Sequence, residues 1–208
     1  MTKRYKLVVW LCISAILIGV AGYYVNRLLG PTHRKWTEDV LLEDGSTIVV
    51  KRTVTFNESE AWGGGGTYNA VESESTIRFT GAMANLPPWS VPLMALVLYK
   101  DAATTEWVVV ALSTSCQVWN ARGEPESRYW EFRLRDQVWR EVPLSPSSYD
   151  RPANLLHRYQ KPLGTKHVTP TFRHALEPPI DMNKEFRLVW KDRNPSCHKG
   201  DRVIPLAN

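Results

Sequence analysis

The chain lacks the short motifs that identify common enzymes and metal-binding proteins. No Gly-x-Ser-x-Gly sequence and no cysteine-protease signature surrounds Ser113, Ser115 and Cys116, whose hydroxyl and thiol groups follow a predicted buried strand. No His-x-x-x-His or Cys-x-x-Cys pair brings metal ligands together, although zinc needs three or four converging ligands. The glycine run within residues 62–66 has no helix start after a strand, which argues against a phosphate-binding loop. We therefore predict no catalytic, metal-binding or cofactor-binding residues and no cofactor, and the pattern favours a protein that is not an enzyme.

Acidic residues are absent from the first 35 positions, where the longest apolar run of the chain lies. Residues 7–25 carry no charged side chain, and as a helix they would span about 28 Å, close to the thickness of a bilayer core. We predict a transmembrane helix over 7–25 that acts as a signal-anchor. A short cytoplasmic tail over 1–6 precedes it, and a juxtamembrane linker over 26–35 and a β-rich soluble domain over 36–208 follow it.

The apolar run has two other interpretations. A removable export signal would use the basic start of the chain and the small pair Gly19 and Ala21, but the run is longer than such signals usually are. A lipoprotein signal would need a small residue before Cys12, where Leu11 stands.

The basic residues give the orientation of the predicted anchor. Lys3, Arg4 and Lys6 crowd against its start, although basic residues after the run nearly balance them. This pattern favours a single-pass protein of the inner membrane with its carboxyl-terminal domain in the periplasm. A domain tethered to the cytoplasmic face is the alternative, and it predicts reduced cysteines.

The net charge of +5 does not describe the predicted domain. Residues 36–208 hold 20 basic and 21 acidic side chains, which removes the argument for nucleic-acid binding. Residues 36–150 have a net charge of −7 and residues 151–208 of +6. Opposite charges favour docking of the two parts on each other, and the alternative is that the basic part faces anionic lipid or an acidic partner.

Two cysteines lie beyond the predicted anchor, Cys116 and Cys197. In an oxidising compartment they permit one disulfide, and a bridge across this separation would stabilise the fold by about 4 kcal/mol. Two buried free thiols are the alternative.

The rest of the chain predicts a mainly β fold. Asp44 and Gly45 suit a two-residue hairpin turn that would pair Leu41 with Ile48, and apolar residues then alternate along residues 48–56. Two nearly continuous apolar runs, 90–101 and 105–114, predict a buried hairpin.

A further strand pair is predicted around a turn at Asp136 and Gln137. Trp130 and Phe132 share one face of its first strand, and Glu131 and Arg133 share the other, which predicts a strand pair wetted on one side. Residues 143–179 hold seven of the fourteen prolines, so an extended segment is expected to wrap the sheet there. We predict an N-terminal transmembrane helix, an antiparallel β-sandwich or barrel-like domain, and a Pro-rich extended C-terminal segment.

Tryptophan supplies the candidate ligand-binding side chains. Trp107, Trp130 and Trp190 lie on alternating strands and are expected in the core. Trp62, beside the glycine run, and Trp89, after two prolines, are the candidates for exposed aromatic residues that could stack on a ligand such as a sugar ring.

These observations predict a single-pass, membrane-anchored envelope protein whose β-rich domain works by binding or scaffolding. The alternative is a membrane-tethered enzyme or glycan-binding module that acts on envelope material. The expected partners are the lipid bilayer, through residues 7–25, and another envelope protein or a glycan, with no nucleic acid.

Overall fold

The computed structural model describes residues 12–14, 32–57, 71–113, 116–123, 125, 127–157, 165–176 and 189. It is mainly β, with two sheets and few helices. The strands are β1 (Thr32–Leu41), β2 (Thr47–Asn57), β3 (Val71–Phe79), β4 (Trp89–Val91), β5 (Met94–Lys100), β6 (Trp107–Leu112), β7 (Tyr129–Arg135), β8 (Val138–Val142) and β9 (His167–Val168). Two short α-helices, α1 (Cys116–Ala121) and α2 (Pro170–Leu176), and 3₁₀ turns at Gly81–Met83 and Pro146–Ser148 accompany them.

The first sheet has the strand order β4-β3-β2-β1-β9. All its neighbours are antiparallel except β9, which runs parallel to β1. Alternate residues of β2 face the interior: Val50 and Val54 are buried, and Lys51 between them is exposed. The alternation predicted for this segment is therefore confirmed, and it continues onto β3, where Ile77 is buried.

The β1–β2 hairpin differs from the prediction by one residue. Leu41 pairs with Thr47 and is 46% exposed, whereas Val40 pairs with Ile48 on the buried face. The loop has three central residues, because the amide of Gly45 donates to the carbonyl of Leu42 and Gly45 then adopts a φ of +81°. An Asp-Gly pair serves this wider loop as well as the two-residue turn, so the two registers look alike in sequence.

The second sheet has the order β5-β6-β7-β8, with every pair antiparallel. The predicted hairpin of apolar strands is confirmed as β5 and β6, which are buried on both faces over most of their length. The predicted turn between β7 and β8 is also confirmed. Asp136 and Gln137 have φ values of 51° and 61°, the positive pair that a two-residue type I′ turn requires.

The two sheets share one core. Val50 and Ile77 of the first sheet join Val109 and Phe132 of the second in a single buried cluster. A second cluster covers the other face of the second sheet, where Leu156, Val168 and Val189 pack on β5 and β6.

Both faces of β7 are therefore covered over much of its length. Glu131 and Arg133 are buried, so the prediction that this face is wetted was wrong. The physical reason is that the turn at Pro146–Ser148 lies over them and hydrogen-bonds to Glu131.

Among the described residues after β8, the regular elements are the 3₁₀ turn at Pro146–Ser148, the two-residue strand β9 and α2. Basic side chains of this segment contact acidic ones of the earlier part. Arg151 forms an ion pair with Glu43, and His167 Nε2 lies 3.0 Å from Asp39 Oδ2. These contacts agree with the docking of the two oppositely charged parts.

Most of the predicted membrane anchor lies outside the described residues. Residues 12–14 of it are helical. Within the described ranges, none of the helices combines the length and the apolar character needed to span a bilayer. Strand β1 begins at Thr32, so the last four residues of the predicted linker, 32–35, belong to the first sheet.

Candidate functional site

A groove lies where β4 of the first sheet meets β8 of the second, the end strands of their sheets. Its volume is about 430 Å³. Residues on its two walls include Pro87, Pro88 and Ser90 on one side and Val138, Trp139 and Glu141 on the other.

The β7–β8 hairpin places the second wall. Trp139 pairs with Leu134 and Glu141 pairs with Phe132, so both point to the face that meets the first sheet. Val138, which neighbours the turn, is 53% exposed, the most exposed large apolar side chain among the described residues.

The indole of Trp139 is held from two sides. Its Nε1–H donates to the carbonyl of Pro87 at 3.0 Å, which ties β8 to the segment leading into β4. Its ring stacks on Phe79, with centroids 6.4 Å apart and planes 7° from parallel. These two contacts hold the indole in place, and Phe79 covers one of its faces.

Trp89 forms part of the floor and is 0% exposed, so the prediction that it stands free for a ligand was wrong. It pairs with Ile77 on the inward face of the first sheet and meets Phe132 edge-on at 5.5 Å. The other candidate, Trp62, lies outside the described residues.

Two polar side chains at the groove, Ser90 and Glu141, already have partners. Ser90 Oγ lies 2.8 Å from Thr76 Oγ1 and donates to Glu74. Glu141 accepts from Arg122 at 2.6 Å. Glu141 is the one charged side chain among the described groove residues, so the groove carries no pair of carboxylates for acid–base chemistry.

A buried ion pair lies elsewhere on the inner face of the first sheet. Arg52 Nη1 is 3.3 Å from Glu38 Oε2, and neither side chain is exposed. Trp36 donates its Nε1–H to Glu38, and the amide of Leu156 donates to the other carboxylate oxygen. Burial raises the pKa of Glu38 and the positive charge of Arg52 opposes that rise, but the net pKa lies above the ordinary value.

The Arg52 side chain is only partly satisfied. Among the described residues, none hydrogen-bonds to its Nε and Nη2 or to the nearby Ser75 Oγ, although the ring centroid of Trp36 lies 5.2 Å from the guanidinium carbon. This group does not line the groove, and we assign it to the core.

A second charged cluster is centred on Arg133. Its Nε lies 2.6 Å from Glu131, and its Nη1 lies 3.0 Å from Asp101 and 3.1 Å from Glu106. Burial alone would raise the pKa of Glu131, but hydrogen bonds from Ser145 and other groups of the cluster hold that pKa below its usual value. Sequence reasoning missed this cluster, because charged side chains that alternate along a strand ordinarily mark a solvated face.

The predicted cysteine bridge stays a prediction. Cys116 begins α1, and Cys197 lies outside the described residues. Over the described part of the chain, no cluster of three His, Cys, Asp or Glu side chains could hold a metal ion.

No protein-family model, no curated protein and no solved structure matches this chain. The function must therefore be inferred from the site itself.

Proposed function

We propose that the chain is a single-pass, membrane-anchored envelope protein whose β-rich domain binds a partner at the groove between β4 and β8. The apolar run over 7–25 would be the anchor, in the inner membrane, with the domain in the periplasm. The domain would be a two-layer antiparallel sandwich with its Pro-rich C-terminal segment wrapped around it.

The observation that carries the binding proposal is an apolar concavity between two end strands. The groove is lined by prolines and by Trp139, and Val138 is exposed beside it. Exposed apolar surface of this kind is typical of interaction sites. The single charged side chain in the groove favours binding over catalysis.

The position of the groove along the first sheet gives its distance from the proposed membrane anchor. Only residues 26–31 separate the predicted anchor from Thr32, so β1 would start close to the lipid headgroups. Trp139 stacks on Phe79 of β3, and Phe79 pairs with Val50 of β2. Val50 in turn pairs with Glu38 of β1, which lies six residues after Thr32. The groove would then lie about 20 Å beyond the membrane-proximal end of the sheet, within reach of a soluble partner.

Anchoring and orientation are tested by fractionation and protease treatment. The full chain should stay in the membrane pellet after an alkaline carbonate wash. Protease added to intact spheroplasts should digest the domain. Recovery of a mature chain in the soluble fraction, lacking its first two dozen residues, would refute the anchor. Digestion only after detergent would reverse the orientation.

The groove is tested by photo-crosslinking in the same membranes. A photoreactive amino acid at Val138 should give a discrete adduct, and that adduct should disappear when Trp139→Ala is added. Val49 is the matched control, since it is an exposed valine on a different sheet. Adducts that are identical from both positions, or that ignore Trp139→Ala, would refute binding at the groove.

A further inference from the structure

The free side of β8 carries backbone groups that point away from its own sheet. In a hairpin closed by a two-residue turn, the flanking residues Arg135 and Val138 exchange both hydrogen bonds, and bonding positions then alternate. The backbone groups of Arg140 and Val142 therefore point towards β7, and those of Trp139 and Glu141 point outwards. No described residue hydrogen-bonds to the outward pair.

At β5 and at β1 the chain itself covers the outer side of the strand, whereas β4 and β9 are the end strands of the first sheet. At β5, Asn154 mimics a neighbouring strand: its Oδ1 accepts from the Leu98 amide and its Nδ2 donates to the Leu98 carbonyl. The amides of Asn154 and Leu155 both donate to the carbonyl of Leu96. At β1, β9 pairs in parallel and the Thr37 amide donates to the Lys166 carbonyl. An open edge is a template for an added strand, and the described residues leave β8 without such a cover.

The groove adjoins this open edge on the face where Trp139 and Glu141 point. A strand added beside β8 would place every second side chain on that face. An apolar side chain opposite Trp139 would fall into the groove between Val138 and Pro87.

The charge at the groove is acidic. Glu141 is the one charged residue that lines it, and Glu74 lies just behind it, bonded to Ser90. Asp136, at the turn end of the edge, is 90% exposed, and Arg140 Nη2 lies 3.9 Å from its carboxylate. Arg122 offsets Glu141 in part, so the groove favours a partner strand that carries a lysine or arginine on the groove face.

The same geometry disfavours a sugar. One face of Trp139 is covered by Phe79 and its N–H is used, while Trp89 is fully buried. Stacking on a sugar ring needs an open aromatic face, whereas the outward backbone groups of β8 have the spacing of a polypeptide strand.

We infer that the partner is a polypeptide, an extended segment of which pairs with Trp139 and Glu141 of β8 as a fifth strand of the second sheet, with an apolar and a cationic side chain facing the groove. This inference rests on the proposed function and specifies how the groove is used.

A peptide-selection experiment tests it. The probe is a library of random ten-residue peptides displayed on phage, selected against the full chain in lipid nanodiscs, with an oligosaccharide array run in parallel. Glu141→Pro removes one outward N–H and leaves the β7–β8 hydrogen bonds in place, as edge strands tolerate. Glu141→Gln is the matched control, because it keeps that N–H and removes only the charge.

Selected peptides should alternate apolar residues and carry a lysine or arginine. Their affinity should fall about tenfold for Glu141→Pro, as expected for loss of one backbone hydrogen bond at a packed edge. It should also fall for Trp139→Ala. Glu141→Gln should weaken the preference for cationic peptides while apolar contacts persist. If Glu141→Pro alters the fold by circular dichroism, hydrogen exchange of the unaltered chain replaces it, and peptide binding should slow exchange at the Trp139 and Glu141 amides.

The outcomes separate the two proposals. Peptides that need Trp139 but bind Glu141→Pro normally, without slowing those amides, would overturn strand addition and keep the groove. Oligosaccharides that bind in a Trp139-dependent way would overturn the peptide partner. Ligands that all ignore Trp139→Ala would overturn both.

Discussion

Arg52 and Glu38 face each other inside the core, with Arg52 Nη1 3.3 Å from Glu38 Oε2 and neither side chain exposed to solvent. The pair is unequal. Glu38 accepts hydrogen bonds from Arg52, Trp36 and Leu156, whereas two nitrogens of Arg52 have no hydrogen-bond partner in the described part of the chain. Removing the carboxylate leaves three hydrogen-bond donors without their acceptor. Removing the guanidinium takes away only one of the hydrogen bonds that the carboxylate accepts.

We therefore predict a larger loss of stability for Glu38→Leu than for Arg52→Met. Glu38→Leu should cost about 3–5 kcal/mol of unfolding free energy, the range for breaking a buried ion pair. The double variant should cost less than the sum of the two single changes by about 1–3 kcal/mol. Urea unfolding of the full chain in detergent gives all three values. Additive changes would show that the two groups do not interact.

The pKa of Glu38 predicts how stability depends on pH. Burial, opposed by Arg52, raises the pKa of this carboxyl in the folded chain, so the folded state holds its proton to higher pH than the unfolded state does. The stability from this group is then fully present below about pH 4.5 and declines as the pH rises through the folded pKa. The stability difference between the unaltered chain and Glu38→Gln should shrink as the pH rises from 4.5. A difference that grows over that range would contradict the assignment.

Glu131 predicts the opposite sign. Burial acts to raise its pKa, but hydrogen bonds from the Ser145 amide, Ser148 and Arg133 outweigh it and lower the pKa. The stability from this group is present above about pH 4.5 and is lost as the pH falls through the folded pKa. Glu131→Gln should cost about 3 kcal/mol at pH 7, and the cost should decline in acid. Thermal unfolding over a pH series measures this, with Glu43→Gln as the control for an exposed carboxylate in a surface ion pair. Equal costs at pH 7 and in acid would argue against an ionised Glu131.

Asn154 closes the edge of β5 with its side chain. Its side-chain amide bonds both backbone groups of Leu98 and also donates to the carbonyl of Leu41. Asn154→Ala should cost about 1–3 kcal/mol, since partly buried backbone groups lose their partners. Hydrogen exchange at the Leu98 amide should accelerate in this variant. Asn154→Asp keeps the acceptor for Leu98 N–H and should protect that amide better than alanine does, and equal exchange in both variants would refute the role.

The strands were predictable where their causes are local. Alternation along β2 and the turn at Asp136 and Gln137 depend on neighbours in sequence, and both appear in the structure. The register of the first hairpin was not predictable, because Asp44 and Gly45 fit two loop lengths and only packing of Val40 chooses between them.

Less of the candidate site than of the strands could be predicted from the sequence. Trp89 was singled out from sequence and does line the groove, but it lies in the floor and not at the surface. Trp139 gave no local signal, since its position depends on Pro87 and Phe79, which lie about 50 and 60 residues earlier. The buried charge of Glu131 likewise depends on Ser145 and Ser148, which cover it from outside the strand.

The central claim is that β8 offers an open edge beside the groove, and hydrogen exchange along β8 tests it most directly. In the full chain in nanodiscs, the amides of Arg140 and Val142, which bond to β7, should exchange slowly, and those of Trp139 and Glu141 should exchange fast. The alternation is the predicted result. Uniform slow exchange from Trp139 to Val142 would show that the edge is already covered and would contradict the account.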